Sequence, residues 1–367
     1  HARKMDLKLY PLGTYPGEFA SVLYKKPRYA MQRAVFGSAF DERVGHIFGF
    51  HFHKDLPKGT LDRRTGKLRT LLRSSVGHLL TQQHNFLVAA DPALTTLLQS
   101  SPFFNGRYVC KDTRIALYRD MDDSRIAVKG LFAHHPRFGR IPHYAHSVAD
   151  ISAAAEYRKK QFVHLVRQKS RALARTQEHE HPYNFYWGPV RVNKIGTFEQ
   201  RGMDINLPQI VFGVSTLLKR ALSGIAAQGI AVVPSAVGEK QPFKLEGNQL
   251  HVPPHHHVVR ELSIQSATHG LSNVSMYRYT ASFVKFARRY LDHKPDWAVQ
   301  SVLRMLSRRE TVSDRVMARA GLFAPKPGFA IDHERAGQIA LHYANRFEEQ
   351  VDELRERYLI LADDVSA

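Results

Sequence analysis

Over residues 43–53 (RVGHIFGFHFH), Phe48, Phe50 and Phe52 alternate with Gly49, His51 and His53. Neighbouring side chains of a strand point to opposite faces, so this spacing predicts a strand with phenylalanines on one side and imidazoles on the other. GTFEQRGMDI (196–205) predicts a second strand, with Thr197, Glu199 and Arg201 on a common face. FKLEGNQLHV (243–252) places Gly-Asn between two alternating runs and predicts a hairpin. Helical spacing dominates elsewhere. Residues 71–98 predict a helix interrupted at Asp91-Pro92, where proline opens a new turn. SPFFNGRYVCKDTRIALYR (101–119) predicts a loop leading into a short structured piece. In residues 147–177, Ile151, Ala155, Phe162, Val166 and Leu173 share one face of a long helix, with basic residues elsewhere. LPQIVFGVSTLLKRALSGI (207–225) predicts an apolar helix, and from about residue 282 the pattern is mostly helical. The final stripe of Ala336, Ala340, Tyr343, Phe347, Val351, Leu354 and Tyr358 predicts a helix burying one face against the body of the chain, a second subunit being the alternative.

Composition narrows the class. With 43% hydrophobic and 10% aromatic residues, 367 residues suffice for one large or two ordinary folded domains. No uninterrupted apolar run approaches the roughly 18 residues of a spanning helix, so no membrane partner is expected. With no apolar signal core behind HARKMDLKLY and one cysteine, Cys110, a reducing, cytoplasmic setting is expected. The formal charge of +20 favours polyanionic partners such as nucleic acid, acidic lipid or phosphate-bearing substrates.

If the two predicted strands lie in one sheet with aligned faces, His51, His53, Glu199 and Arg201 converge. A carboxylate with imidazoles suits a divalent cation, and a neighbouring guanidinium suits phosphoryl oxygens. Such a cluster fits phosphoryl transfer, which is mainly positioning and charge stabilisation. His-x-His on a half-buried strand can equally be structural, and Glu-x-Arg a cross-strand ion pair. EHEH (178–181) and HVPPHHH (251–257) read as solvated loops, lacking the spacing of a zinc site. There is no phosphate-binding Gly-rich loop, dinucleotide fingerprint, Gly-x-Ser-x-Gly elbow or HExxH.

An ordered set of segments resembles the glutamate–cysteine ligase family, including its bacterial carboxylate–amine ligase branch. They are LGTYPGEF with KPRYAMQRAVFG (12–37), FGFHFH (48–53), SPFFNG and KDTRIALYR (101–119), FYWGPVR (185–191) and FEQRGMDINLP (198–208). The resemblance spans roughly residues 8–225. It implies an α+β fold in which an antiparallel sheet curves into a cup with helices outside, glutamine synthetase/glutamate–cysteine ligase-like, and a helical C-terminal portion. Residues 1–280 would form the catalytic domain and 281–367 the helical part packed on it.

By the same resemblance, His51 and Glu199 are metal ligands, with His53 a further candidate. Arg201 faces nucleotide or acyl phosphate, and Arg114 and Arg119 handle substrate carboxylate and phosphate. Trp187 and Arg191 line the same cavity, and Asp204 follows the strand. Bland readings stay open: surface positions for Arg114 and Arg119, core for Trp187, a helix cap for Asp204. The implied cofactors are ATP and Mg2+, and the implied reaction joins an amino-acid or peptide carboxylate to an amine acceptor through an acyl phosphate. A homo-oligomer is compatible with this reading. The family opens with a strand of paired glutamates, whereas LGTYPGEF begins here at residue 12, so those glutamates are expected upstream. The alternative is a degenerate member acting as a basic binding or scaffold protein, with nucleic acid as one candidate partner.

Overall fold

A computed structural model describes residues 2–62, 64–65, 67–69, 74–119, 121, 123–126, 128–177, 179–291, 297–323 and 326–366, with the side chains of Arg3 and of 358–366 left aside. Helices α1 (Pro27–Phe36) and α2 (Ala39–Val44) precede strand β1 (Gly49–Asp55). The short ladders β2 (Leu61–Asp62) with β3 (Lys67–Leu68), and β4 (Phe103–Phe104) with β5 (Arg107–Tyr108), flank α3 (Ser74–Leu98). Helices α4 (Thr113–Tyr118), α5 (Val148–Lys169) and α6 (Arg171–Arg175) lead to β6 (Val190–Asn193) and β7 (Thr197–Asp204). After α7 (Pro208–Gln228) come β8 (Ala231–Pro234), α8 (Ala236–Lys240), β9 (Lys244–Glu246) and β10 (Gln249–Val252). Next, α9 (His255–His257) runs through a π turn at Val258–Leu262 into α10 (Ser263–His269). Helices α11 (Val274–Arg288), α12 (Gln300–Arg308), α13 (Val312–Arg319) and α14 (His333–Ser366) complete the chain.

The fold is α+β with 55% helix, small sheets and a helical C-terminal portion. Among the described residues no sheet curls into a cup. The sheet that matters here is three-stranded, β1-β7-β6, antiparallel throughout. A second sheet places β10 between parallel β8 and antiparallel β9, so the expected hairpin is present and turns at Gly247, whose φ is +57°.

Several elements differ from the sequence reading. The predicted strand begins only at Gly49, because residues 39–44 form α2, which buries Phe40. Helix α3 runs through Pro92 without interruption, and every residue from Leu80 to Leu98 is buried. Packing on all sides thus overrides the proline break expected of a surface helix. Residues 71–73 of that predicted helix lie outside the described residues. The helix predicted over 147–177 is broken at Ser170, whose side chain accepts the Leu173 N–H and starts α6. Its beginning is fixed by a reciprocal capping box between Ser147 and Asp150.

Helix α7 is long and apolar enough to cross a membrane by length and composition alone. One face (Ile210, Val214, Leu217, Leu218, Ala221, Leu222, Ile225) is core, and α7 packs on α3, α11, α12 and α14. The α14 stripe is covered only in part: Ala336 and Tyr343 are buried, Ala340 and Phe347 partly so, whereas Val351 is exposed. Tyr358, the last position of that stripe, lies outside the described side chains.

Candidate functional site

The site face of the β1-β7-β6 sheet follows from strand register. His53 pairs with Glu199 across β1 and β7, and Arg191 pairs with Glu199 across β6 and β7. Residues directly opposite each other share a face, so all three project to one side. On β6, Val190 and Val192 go to the core while Arg191 and Asn193 accompany Glu199. A bulge lies between Phe50 and Phe52, so that Phe50 meets Met203 and Gly49 meets Asp204. The extra residue is in β7, where alternation keeps Arg201 on the face of Glu199 and turns Gly202 inward. A Cβ at Gly202 would lie 2.3 Å from Asp91 Oδ1 and 2.6 Å from Arg119 Nη2, so the strand needs glycine there.

Glu199 is the hub. Its Oε1 lies 3.0 Å from His51 Nδ1 and 3.3 Å from Arg201 Nε. Its Oε2 accepts from Arg191 Nε and from Asn193 Nδ2, each at 2.7 Å. The Arg201 contact is a charge contact only, since Arg201 Nε makes no hydrogen bond. Arg201 instead donates through Nη1 to the Trp187 carbonyl at 3.1 Å, and Arg191 Nη1 donates to the Tyr186 carbonyl at 2.8 Å. Glu199 is buried and His51 half-exposed, with side-chain exposures of 2% and 36%.

Burial alone would push the Glu199 carboxyl up. The His51 hydrogen bond and the Arg191 and Arg201 charges outweigh it and hold Glu199 well below the usual carboxylate range. His51 moves down too: burial comes first, Arg201 and Arg114 add to it, and the Glu199 hydrogen bond opposes it. A neutral His51 facing an ionised carboxylate must carry its proton on Nδ1. The lone pair is then on Nε2, the arrangement that readies an imidazole to accept a proton.

The depressed Glu199 value has a signed consequence for stability. Its stabilisation is fully present above the ordinary value of 4.5 and is lost as pH falls below it toward the folded-state value. Thermal melts of wild type and Glu199→Gln between pH 5 and 3 check this. The wild type should lose more stability over that interval, and parallel slopes would show that the carboxylate is not held ionised.

Among the described residues, His51, His53 and Glu199 form the one group of three whose ligand-type atoms all lie within 4.8 Å of one another. His53 Nδ1 also meets Thr197 Oγ1 at 2.8 Å. Two imidazoles and one carboxylate can hold a single ion. A magnesium ion would take its one protein oxygen from Glu199 and complete its shell with water and substrate oxygens.

The other expected residues separate into two sets. Arg114 is brought close, its Nη1 and Nη2 donating to the Gly202 and Arg201 carbonyls at 3.0 and 3.1 Å. It is buried, and its charge reaches Asp204 and Asp112, both pushed up chiefly by burial, Asp204 to about 6. Asp204 accepts from the Ser100 N–H at 2.9 Å and caps no helix, since the cap position of α7 is Leu207, without a side-chain cap. Arg119 is not brought to the group: it grips Asp91 through two hydrogen bonds of 2.7 and 3.1 Å on the inner side of β7. Trp187 contributes its carbonyl, while its ring is core, packed among Phe36, Phe132, Phe138 and Phe162.

Asn193 is the hub residue that sequence reasoning missed. The signal was the alternation in VRVN, too short to count as a strand without its partner. The two His-rich segments stay apart from the group: His181 accepts from the Tyr183 N–H, and His257 lies 3.3 Å from Glu261. Glu178 lies outside the described residues. Cys110 is buried, and burial pushes its thiol up, away from nucleophilic use. Against known proteins, no family model matches the chain and no curated protein matches it with significance.

Proposed function

We propose that the chain carries a nucleotide- and metal-handling face of an ATP- and Mg2+-dependent carboxylate–amine ligase of the glutamate–cysteine ligase type. The observation that carries this reading is the buried, ionised Glu199 joined on one sheet face by His51, Arg191 and Arg201. Among the described residues, strands β1 and β6 are both edges of their sheet, so the family's cup would need strands added along either.

In the proposed reaction a carboxylate oxygen of the substrate attacks the γ-phosphorus of ATP, releasing ADP and leaving an acyl phosphate. An amine nitrogen then attacks the acyl carbon; phosphate leaves with the bonding pair, and the nitrogen loses a proton. The substrate is the side-chain carboxylate of glutamate or a related amino acid or peptide. Magnesium, when bound, neutralises phosphate charge. Arg201 offers its guanidinium to phosphoryl oxygens, with Arg191 reinforcing the positive potential. His51, with Nε2 unprotonated, is placed to receive a proton, and Glu199 fixes its tautomer; an ion shared with Glu199 would instead take the place of the Nδ1 hydrogen, on the ring edge that faces the carboxylate. Arg114 positions the Arg201 segment through its backbone carbonyls rather than touching substrate. Arg119 has no part in the chemistry.

One observation favours a second reading. Both Glu199 oxygens already have protein partners, as in a purely structural ion-pair network, which suits a non-catalytic binding protein on the same scaffold. ADP release with Mg-ATP, glutamate and a panel of amines separates the two. The ligase reading expects amine-dependent turnover that Glu199→Gln removes. Turnover absent with every amine, together with salt-sensitive nucleic-acid binding, would favour the binding protein.

A further inference from the structure

A cavity of about 560 Å3 lies at the start of α7, lined by no residue of the Glu199 sheet and mostly by helices that follow the segments resembling the ligases. Five arginines from three helices line it: Arg304 and Arg308 of α12, Arg315 of α13, and Arg346 and Arg357 of α14. Arg315 pairs with Glu310 at 3.2 Å and Arg346 with Glu349 at 2.6 Å. The lining's own carboxylate, Glu353, accepts from Gln209 Nε2 at 2.5 Å. Arg304 reaches only the Ser301 hydroxyl, at 3.3 Å, and Arg308 pairs with no carboxylate among the described residues. Even with all three glutamates counted against them, the guanidiniums leave a surplus of positive charge facing one concavity. A cleft walled by protein focuses that potential, and an anion of at least two charges would offset it.

We propose that this cavity binds a compact oligophosphate, that is, two or more adjacent phosphates, whether free or attached to a nucleoside. Guanidiniums recognise phosphate oxygens in pairs, and helices set at different angles present several forks to one ligand. The size falls in the range of roughly 300–1,000 Å3 usual for small-molecule sites. Nucleic acid fits less well. Trp297, the aromatic residue of the lining, already has Phe212 stacked on its ring at 5.3 Å and Arg357 over it at 5.5 Å, and would have to give up one of them to stack on a base. The first N–H of α7 outside its cap is also taken: Gln209 N donates to Gln350 Oε1 at 3.2 Å. Phosphate would therefore be held by side chains and not by the helix end.

Calorimetric titration with inorganic triphosphate in about 150 mM salt tests this. The expected result is saturable binding, weakened about tenfold or more in Arg304→Gln/Arg308→Gln and unchanged in the exposed charge control Arg137→Gln. Both α12 arginines are exposed, and Arg308→Gln alone, checked by circular dichroism, repeats the test with a smaller change. Metal-free ATP titrated in parallel distinguishes the sources: tighter ATP binding that the α12 double variant loses assigns a nucleotide, tighter triphosphate binding a free polyphosphate. Absence of saturable binding, equal affinity in the α12 variants, or an equal loss in Arg137→Gln would overturn the proposal. So would a single-stranded RNA that binds more tightly than triphosphate and loses its binding in the α12 double variant.

Discussion

Glu199→Gln is expected to destabilise the protein by roughly 3 kcal/mol at neutral pH and to lower amine-dependent ADP release by about 100-fold or more. Both effects have one origin. Glutamine keeps the shape and one acceptor but removes the charge that offsets Arg191 and Arg201, each only 13% exposed at the side chain. Two neighbouring guanidiniums then face each other without a counter-ion, and His51 loses the partner that fixes its tautomer. Denaturant melts read the first effect and initial rates the second. A stability change within about 1 kcal/mol would show that the ion-pair network contributes little, as exposed networks commonly do.

Arg119→Met is expected to cost about 4 kcal/mol, with the KM values for ATP and for the carboxylate substrate unchanged. Arg119 is 5% exposed and Asp91 fully buried, and Asp91 also accepts from Gln200 Nε2 at 3.1 Å. Removing the arginine strands a carboxylate inside helix α3, where water cannot reach it. Adding Asp91→Asn should recover part of the loss, because the stranded charge disappears. A double-mutant cycle in urea measures this coupling. A raised KM in Arg119→Met at unchanged stability would instead return the residue to the substrate-handling role implied by the family resemblance.

These two residues also mark what the sequence could disclose. Period-two spacing placed the imidazoles of β1 opposite its phenylalanines and put Thr197, Glu199 and Arg201 on one face, since alternation is a local property. That β7 lies between β1 and β6 is a matter of long-range pairing, which no local pattern encodes, and a four-residue strand such as VRVN offers too few positions to be seen alone. The bulge was hidden for the same reason; only the partner strand reveals that β7 carries one residue more than β1 over this stretch. The pairing of Arg119 was hidden because its partner sits 28 residues earlier, inside a helix that proline was expected to interrupt. A charged residue in isolation reads as surface or site. Only packing shows a buried pair. The expected cup did not emerge among the described residues, because β1 and β6 have no further strands beside them.

Crystals grown with Mn2+ and a non-hydrolysable ATP analogue probe the sheet face most directly, since manganese replaces magnesium and is visible by anomalous scattering. An anomalous peak within bonding distance of Glu199 and His51, with the analogue's phosphates against Arg201, is the expected result. A clear analogue or ion bound elsewhere, with Glu199 still enclosed by Arg191, Asn193 and His51, would contradict it.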